Sequence, residues 1–190
     1  MKRNKRNKVE DAKMLAVRMH GLQEYDNFPY HKHLQDVVDV LIEFGYTHED
    51  QLCAGYLHDV LEDTPLNYND IAGTFGLDVA EMVYGVTDEL GRSRQERKEK
   101  TLPKTRSIPT CIPIKLADRV ANMRNSIAGN HSMANKYAKE YSHFKKSLQI
   151  EGEDEGLWRC LDKLNEPETP TKLLIDKIVE EEPRPSRSDL

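Results

Sequence analysis

No apolar run in the 190-residue chain approaches the roughly 20 residues that a membrane-spanning helix requires. No membrane partner is therefore expected. The basic start, MKRNKRNK, is followed by none of the apolar core of a secretory signal. Cysteine is scarce. Cys53, Cys111 and Cys160 are odd in number and far apart, which argues against a disulfide framework and fits a reducing cytoplasm. The absence of any Cys-x-x-Cys pair also argues against a structural zinc. A surplus of positive charge is missing too. The net charge is −5, so nucleic-acid binding gets no general electrostatic support. Residues 1–8 are the exception; a frayed terminus is the plainer reading of them and an RNA-binding arm the sharper one. There is no convincing strand pair and no internal repeat. The length suits one domain with a real core.

What is present is helical periodicity. Residues 9–22 carry Ala12, Leu15, Ala16 and Met19 on one face. A loop at 24–29 leads to a helix over 33–44, where Leu34, Val37, Val38, Leu41 and Ile42 share a face and Gly45 supplies a cap. Thr47-His48-Glu49-Asp50 resembles a capping box. It opens a central helix that Thr64-Pro65 ends. Further helices are expected over 68–75 and 78–88, and over 92–105 with a break at Pro103. Others should cover 111–127, 133–148, a short docking turn around Leu157, Trp158, Leu161 and Leu164, and 173–179. The expected architecture is all-α, a single-domain helical bundle over residues 9–149. A disordered basic segment (1–8) would precede it. A packed helical extension (150–179) and a disordered charged, proline-rich tail (180–190) would follow.

The central stretch, residues 55–64, reads Gly-Tyr-Leu-His-Asp-Val-Leu-Glu-Asp-Thr. On a continuous helix, at roughly 100° per residue, His58, Asp59 and Glu62 fall on one side, and Leu52, Cys53, Tyr56, Leu57, Val60 and Leu61 on the other. A buried imidazole-carboxylate face is costly unless something neutralises it, and a bound cation would. The segment over 111–127 repeats this two-faced pattern: Leu116, Val120, Met123 and Ile127 against Lys115, Asp118, Asn122 and Asn125.

His33, His58, Asp59 and Asp118 thus make a candidate metal-ligand set drawn from three segments. Two imidazoles and two carboxylates leave open positions on a six-coordinate ion, which metal-assisted hydrolysis of a phosphate needs. Glu62 could take the water's proton or orient it. Asp63 could support the ligands by hydrogen bonding. Iron, cobalt, nickel, zinc and manganese all suit such a set. A polyanionic substrate also needs cations, and Arg94, Lys98 and Lys104 share a rough helical face that could clamp phosphate. Lys115, Lys136, Tyr137 and Lys139 could reach the same pocket. Each of these has a plainer reading as a solvated or core residue. His31 competes with His33, but the Pro29-Tyr30 spacing favours His33.

The order His33 … His58-Asp59 … Asp118, with His-Asp-x-x-Glu-Asp-Thr over 58–64, resembles the HD phosphohydrolase superfamily. More narrowly it resembles the hydrolase domain of the RelA/SpoT-type proteins and their small stand-alone relatives. Val86-Thr87-Asp88-Glu89, Thr101-Leu102-Pro103-Lys104 and the run from Lys115 to Asn122 support it. The resemblance covers residues 9–149. It implies an all-α fold with one divalent ion, manganese first and magnesium also a candidate, held at His33, His58, Asp59 and Asp118. It implies that Glu62 and Asp63 assist the water and that Asn122 faces a small nucleotide. It also implies removal of the 3′-pyrophosphate from guanosine tetra- and pentaphosphate. One departure is the stretch 21–28, which lacks the family's basic residues. This keeps two alternatives open: a (deoxy)nucleotide phosphatase of the same superfamily, and a nucleotide-binding regulatory module with little turnover. A homo-oligomer is also left open.

Overall fold

A computed structural model describes residues 7–26, 28–129 and 131–166. The expected helix over 173–179, the tail over 180–190 and most of the basic start lie outside the described residues. The helix α1 (Lys8–His20) starts where the Asn7 side chain accepts the Glu10 backbone N–H. A two-residue antiparallel hairpin follows, β1 (Glu24–Tyr25) against β2 (Phe28–Pro29). It lies where a plain loop was expected, because two-residue strands carry no alternation to read. Asp26 turns it at φ 53°, a left-handed conformation that Asp tolerates better than most residues.

The helix α2 (Tyr30–Glu43) begins three residues earlier than its apolar spacing indicates. Then come α3 (Glu49–Leu57), α4 (Val60–Asp63), α5 (Tyr68–Phe75) and α6 (Leu77–Val86). The cap of α3 is His48, whose Nδ1 accepts the Asp50 N–H, rather than the Thr47 expected. Asn67 and Asp70 form a reciprocal capping box on α5. The helix α7 (Arg94–Ser107) runs unbroken through Pro103, contrary to expectation. Proline removes one N–H, but Pro103 is exposed, so the carbonyl it leaves unpaired faces water. A short 3-10 turn (Pro109–Cys111) leads into α8 (Ile112–Gly129), followed by α9 (His131–Leu148) and α10 (Glu155–Leu164).

The bundle is built around α8, which packs against α2, α9 and α10 and also meets α3, α6 and α7. That is why even Lys115 and Arg119 on α8 are buried. Leu34 and Leu41 from α2, Leu57 from α3, and Leu116 and Val120 from α8 meet in one apolar core. The crossing of α2 and α3 is tight. A Cβ on Gly55 would stand 2.9 Å from Leu41 Cδ1 and 3.1 Å from Val38 Cγ2.

The central segment is two helices, not one. The His58 ring donates from Nδ1 to the Gly55 carbonyl (2.8 Å), the acceptor that a continuing helix would offer to the Asp59 N–H. Asp59 then sits at φ −102°, ψ −1°, in the bridge region, and its own carbonyl caps the next turn by accepting from Glu62 and Asp63. Adjacent side chains that a helix would splay by roughly 100° are thereby turned toward one point.

Candidate active site

Four side chains meet at the floor of a cleft. His33 projects from the first turn of α2, His58 and Asp59 from the break between α3 and α4, and Asp118 from α8. His33 Nε2 lies 3.3 Å from His58 Nε2 and 3.4 Å from Asp118 Oδ1. His58 Nε2 lies 2.8 Å from Asp59 Oδ2 and 3.8 Å from Asp118 Oδ1. The imidazoles are 2% and 3% exposed and the carboxylates 20% and 21%, so the cluster is reached from its carboxylate side.

These residues fit a divalent metal on three counts. Ligands about 2.1 Å from one ion stand roughly 3–4 Å from each other; His33, His58 and Asp118 have that mutual spacing, and Asp59 Oδ2 stands 2.8 and 3.9 Å from the two imidazoles. The Nδ1–H bond of His58 to Gly55 leaves the Nε2 lone pair of the neutral ring facing inward. The buried His33 Nδ1 has no hydrogen-bond partner, so the ring is held by packing and its Nε2 is the nitrogen turned toward the cluster. In the metal-free cluster, burial opposes charge on His58. Asp59 and Asp118 override it and push the imidazole up to about 9. Burial likewise opposes ionisation of both carboxylates, but the imidazoles hold them below the usual carboxylate range. A divalent ion held by these residues would take the place of the imidazole proton.

Glu62 lines the cleft, and its Oε1 accepts the Asp88 N–H at 2.5 Å. Burial and the Asp59 charge raise its pKa, as suits a proton acceptor. Asp63 does not line the cleft. It faces the end of α1, where its Oδ2 accepts from Gln23 Nε2 at 2.9 Å.

Opposite the floor stands a basic wall made of two triads. Asp88 is held by Lys98 Nζ at 2.9 Å to both oxygens and by Lys115 Nζ at 3.3 Å. Glu140 takes Arg94 Nε at 2.6 Å and Arg119 Nη1 at 3.5 Å. Thr101 and Lys104 of α7 fix the loop that carries Asp88 by bonding the Glu89 N–H and the Thr87 carbonyl. Burial, then the neighbouring Lys115, lower the Lys98 pKa to about 8. Burial opposes the Lys115 charge, but Asp88, Asp118 and Glu62 raise its pKa.

The cleft, about 200 Å³, thus receives Arg94, Lys98, Lys115, Asn122 and Tyr137 among the expected substrate contacts. It does not receive Lys104. That amine is spent on the Thr87 carbonyl and on Glu89, and it lies 4.3 Å from the Tyr84 ring centre. Several lining residues carried no sequence signal of their own. Tyr25 stacks on His33 (4.8 Å, 18°) and donates to the side-chain Oδ1 of Asn122. Tyr30 donates to Asp59 Oδ2. Arg119 stacks over Tyr137 and Phe144, at 4.6 and 4.5 Å. The segment without basic residues therefore delivers an aromatic ring to the site. Tyr30 belongs to the Pro29-Tyr30 pair that precedes His33, and Arg119 directly follows Asp118; these adjacencies are the available hints.

Comparison with known proteins agrees with this geometry. A family model described as "HD domain" matches residues 12–145. The guanosine-3′,5′-bis(diphosphate) 3′-pyrophosphohydrolase MESH1 of Drosophila melanogaster is 38% identical over 99 residues, covering 51% of this chain and 55% of that protein. The 3′-pyrophosphohydrolase of the same name from Aquifex aeolicus is 34% identical over 138 residues, covering 70% of this chain and 20% of its own. The chain therefore spans about half the length of the first and a fifth of the second. The solved structure titled "A metazoan ortholog of SpoT hydrolyzes ppGpp and plays a role in starvation responses" superposes with a TM-score of 0.71. It has 27% identity and covers 85% of this chain and 96% of its own. With its match running from α1 to α9, the chain belongs to the HD-domain family.

Proposed function

We propose that this protein is a metal-dependent hydrolase that removes the 3′-pyrophosphate of guanosine tetra- and pentaphosphate. The observation that carries the proposal is the convergence of His33, His58 and Asp118 on one point, with Asp59 against the two imidazoles, Glu62 beside them and a basic wall opposite. The names of the relatives at 34–38% identity supply the substrate. The four converging residues would hold one divalent ion, with manganese the first choice. When bound, it supplies charge neutralisation at the phosphoryl oxygens and a more acidic water.

Glu62 orients that water and accepts its proton. The water oxygen bonds to the phosphorus attached to the 3′ oxygen. The bond from that phosphorus to the 3′ oxygen breaks, and the oxygen takes up a proton, leaving a hydroxyl and inorganic diphosphate. Tyr30 and Asn122 hold the two carboxylates in place through Asp59 and Asp118. Lys98, Lys115, Arg94 and Arg119 face the phosphates. Among the described residues no helix is long and apolar enough to cross a membrane. Three well-separated cysteines fit a reducing compartment, and on that ground we place the reaction in the cytoplasm.

The test is phosphate and diphosphate release from a panel of nucleotides with manganese. Diphosphate release from the 3′-diphosphorylated guanosines, absent from mononucleotides, is the expected result. Orthophosphate release from deoxynucleotides instead would favour a nucleotidase, a reading that the neutral hairpin side of the site keeps in play. No release from any nucleotide would overturn the proposal.

A further inference from the structure

Two chambers flank the cleft, one reaching His33 and the other meeting the cleft at its basic wall, and their charges differ. One, about 570 Å³, lies on the hairpin side and includes Tyr25, Phe28, Lys32, Asp36 and Asn125. Its one lysine, Lys32, is paired with Asp36 at 3.0 Å, and Asp26 adds a further acid, so this chamber has no cation to spare. The other, about 530 Å³, lies between α7, α8 and α9 and shares Arg94, Lys98, Arg119 and Phe144 with the cleft. Here Arg94, Lys98, Arg119 and Lys136 outnumber the acids Glu99 and Glu140. Arg94 and Arg119 share the single Glu140 carboxylate, and Lys98 shares Asp88 with Lys115. Lys136, also on this chamber, has no ion-pair partner among the described residues.

Arg119 is the most telling member. Its guanidinium offers five N–H groups. It is 6% exposed, and among the described residues its guanidinium makes one hydrogen bond, a long one of 3.5 Å to Glu140. The guanidinium lies over the rings of both Tyr137 and Phe144, contacts that hold it without using its donors. A buried, oriented guanidinium with donors to spare is arranged to receive an oxyanion in its fork.

We infer that the α7–α8–α9 chamber is the receiving site for the leaving inorganic diphosphate, with Arg119 and Arg94 as its contacts and Lys136 at its outer end. The inference rests on the hydrolase reading. It fixes the orientation of the substrate across the metal site: nucleoside toward the aromatic hairpin side, departing phosphates toward the basic side. Glu140 acts as the resident anion that keeps the two arginines apart and soluble until phosphate arrives.

The experiment is product inhibition of the metal-loaded full chain by inorganic diphosphate and, separately, by guanosine 5′-diphosphate. Metal is held in fixed excess so that chelation is the same for every variant. Lys136→Glu, on an exposed position at the chamber alone, should raise the inhibition constant for diphosphate at least fivefold and leave that for guanosine 5′-diphosphate within twofold. Arg119→Lys, which keeps the charge and loses the fork, should raise the diphosphate constant further. Folding of both variants is checked by circular dichroism. Unchanged diphosphate inhibition in both would overturn the inference. So would an equal loss of both inhibitors in Lys136→Glu, which would put the nucleoside in this chamber. If the protein hydrolyses no nucleotide, calorimetric titration of inorganic diphosphate into the metal-loaded chain still reads the chamber. Weaker binding in Lys136→Glu would support the site while the hydrolase reading falls, and equal binding would overturn the site as well.

Discussion

On the floor of the cleft, four donors face one another with no Lys or Arg between them. On the wall, each carboxylate is already shared by two cations. The floor is incomplete without an ion, because imidazole and carboxylate lone pairs pointing at one place repel unless a proton or a metal stands between them. The wall is complete by itself and has charge left over. Damage to the two regions should therefore differ in kind. Loss of one floor residue removes the reason for the others, whereas loss of one wall residue leaves a working remainder.

The largest expected effect is on the floor. His58→Ala and Asp59→Ala should each reduce metal content to background in elemental analysis and abolish hydrolysis together. A variant that kept its metal yet lost activity would break the contrast. Next is Glu62→Ala, beside the floor but outside the ligand set. It should retain the metal and lose turnover by about 10²–10⁴ if the carboxylate accepts the water's proton. A stopped assay on metal-quantified protein reads this directly.

A smaller effect belongs to the wall. Lys98 loses its proton above its lowered pKa of about 8. Removal of one charge-assisted hydrogen bond costs about 1.5–3 kcal/mol, roughly a tenfold or larger rise in KM. The rise should appear between pH 8 and 9.5 and move to higher pH in Lys98→Arg. The stability sign is opposite. The folded state binds this proton less tightly than the unfolded chain, so a penalty present below pH 8 is relieved as pH rises toward the ordinary lysine value of 10.5. The smallest effect is expected from Lys104→Met, because that amine serves the loop and not the cleft. KM should shift by less than about twofold.

The contrast also explains what could be read from the sequence. The floor residues were legible because His58-Asp59 are adjacent and because His33 and Asp118 stand in a recognisable order with them. The wall was half legible. Arg94, Lys98 and Lys115 could be named as cations near a phosphate, but their restraint by Asp88 and Glu140 depends on which helices touch. Arg94 and Glu140 are 46 residues apart. The aromatic contacts were hidden for the same reason, since Tyr25 reaches Asn122 across 97 residues. The helix expected over 68–75 matches α5, which Gly76 closes; the Asn67 cap at its start is seen only in the structure. The break at His58-Asp59 escaped because no proline or glycine marks it; a side-chain ring competing for one carbonyl causes it. Pro103 misled in the other direction, since a helix facing water tolerates the lost bond.

The absence of a side chain at Gly55 ties the spacing of two helices to the shape of the metal site. His33 rides on α2, while His58 hangs from the end of α3 and is steered by the Gly55 carbonyl itself. A bulkier residue here would widen the α2–α3 crossing and carry the two imidazoles apart by the same amount. Metal preference in this fold could thus drift through a position that never touches the ion, with bulk at residue 55 acting as a shim between two jaws.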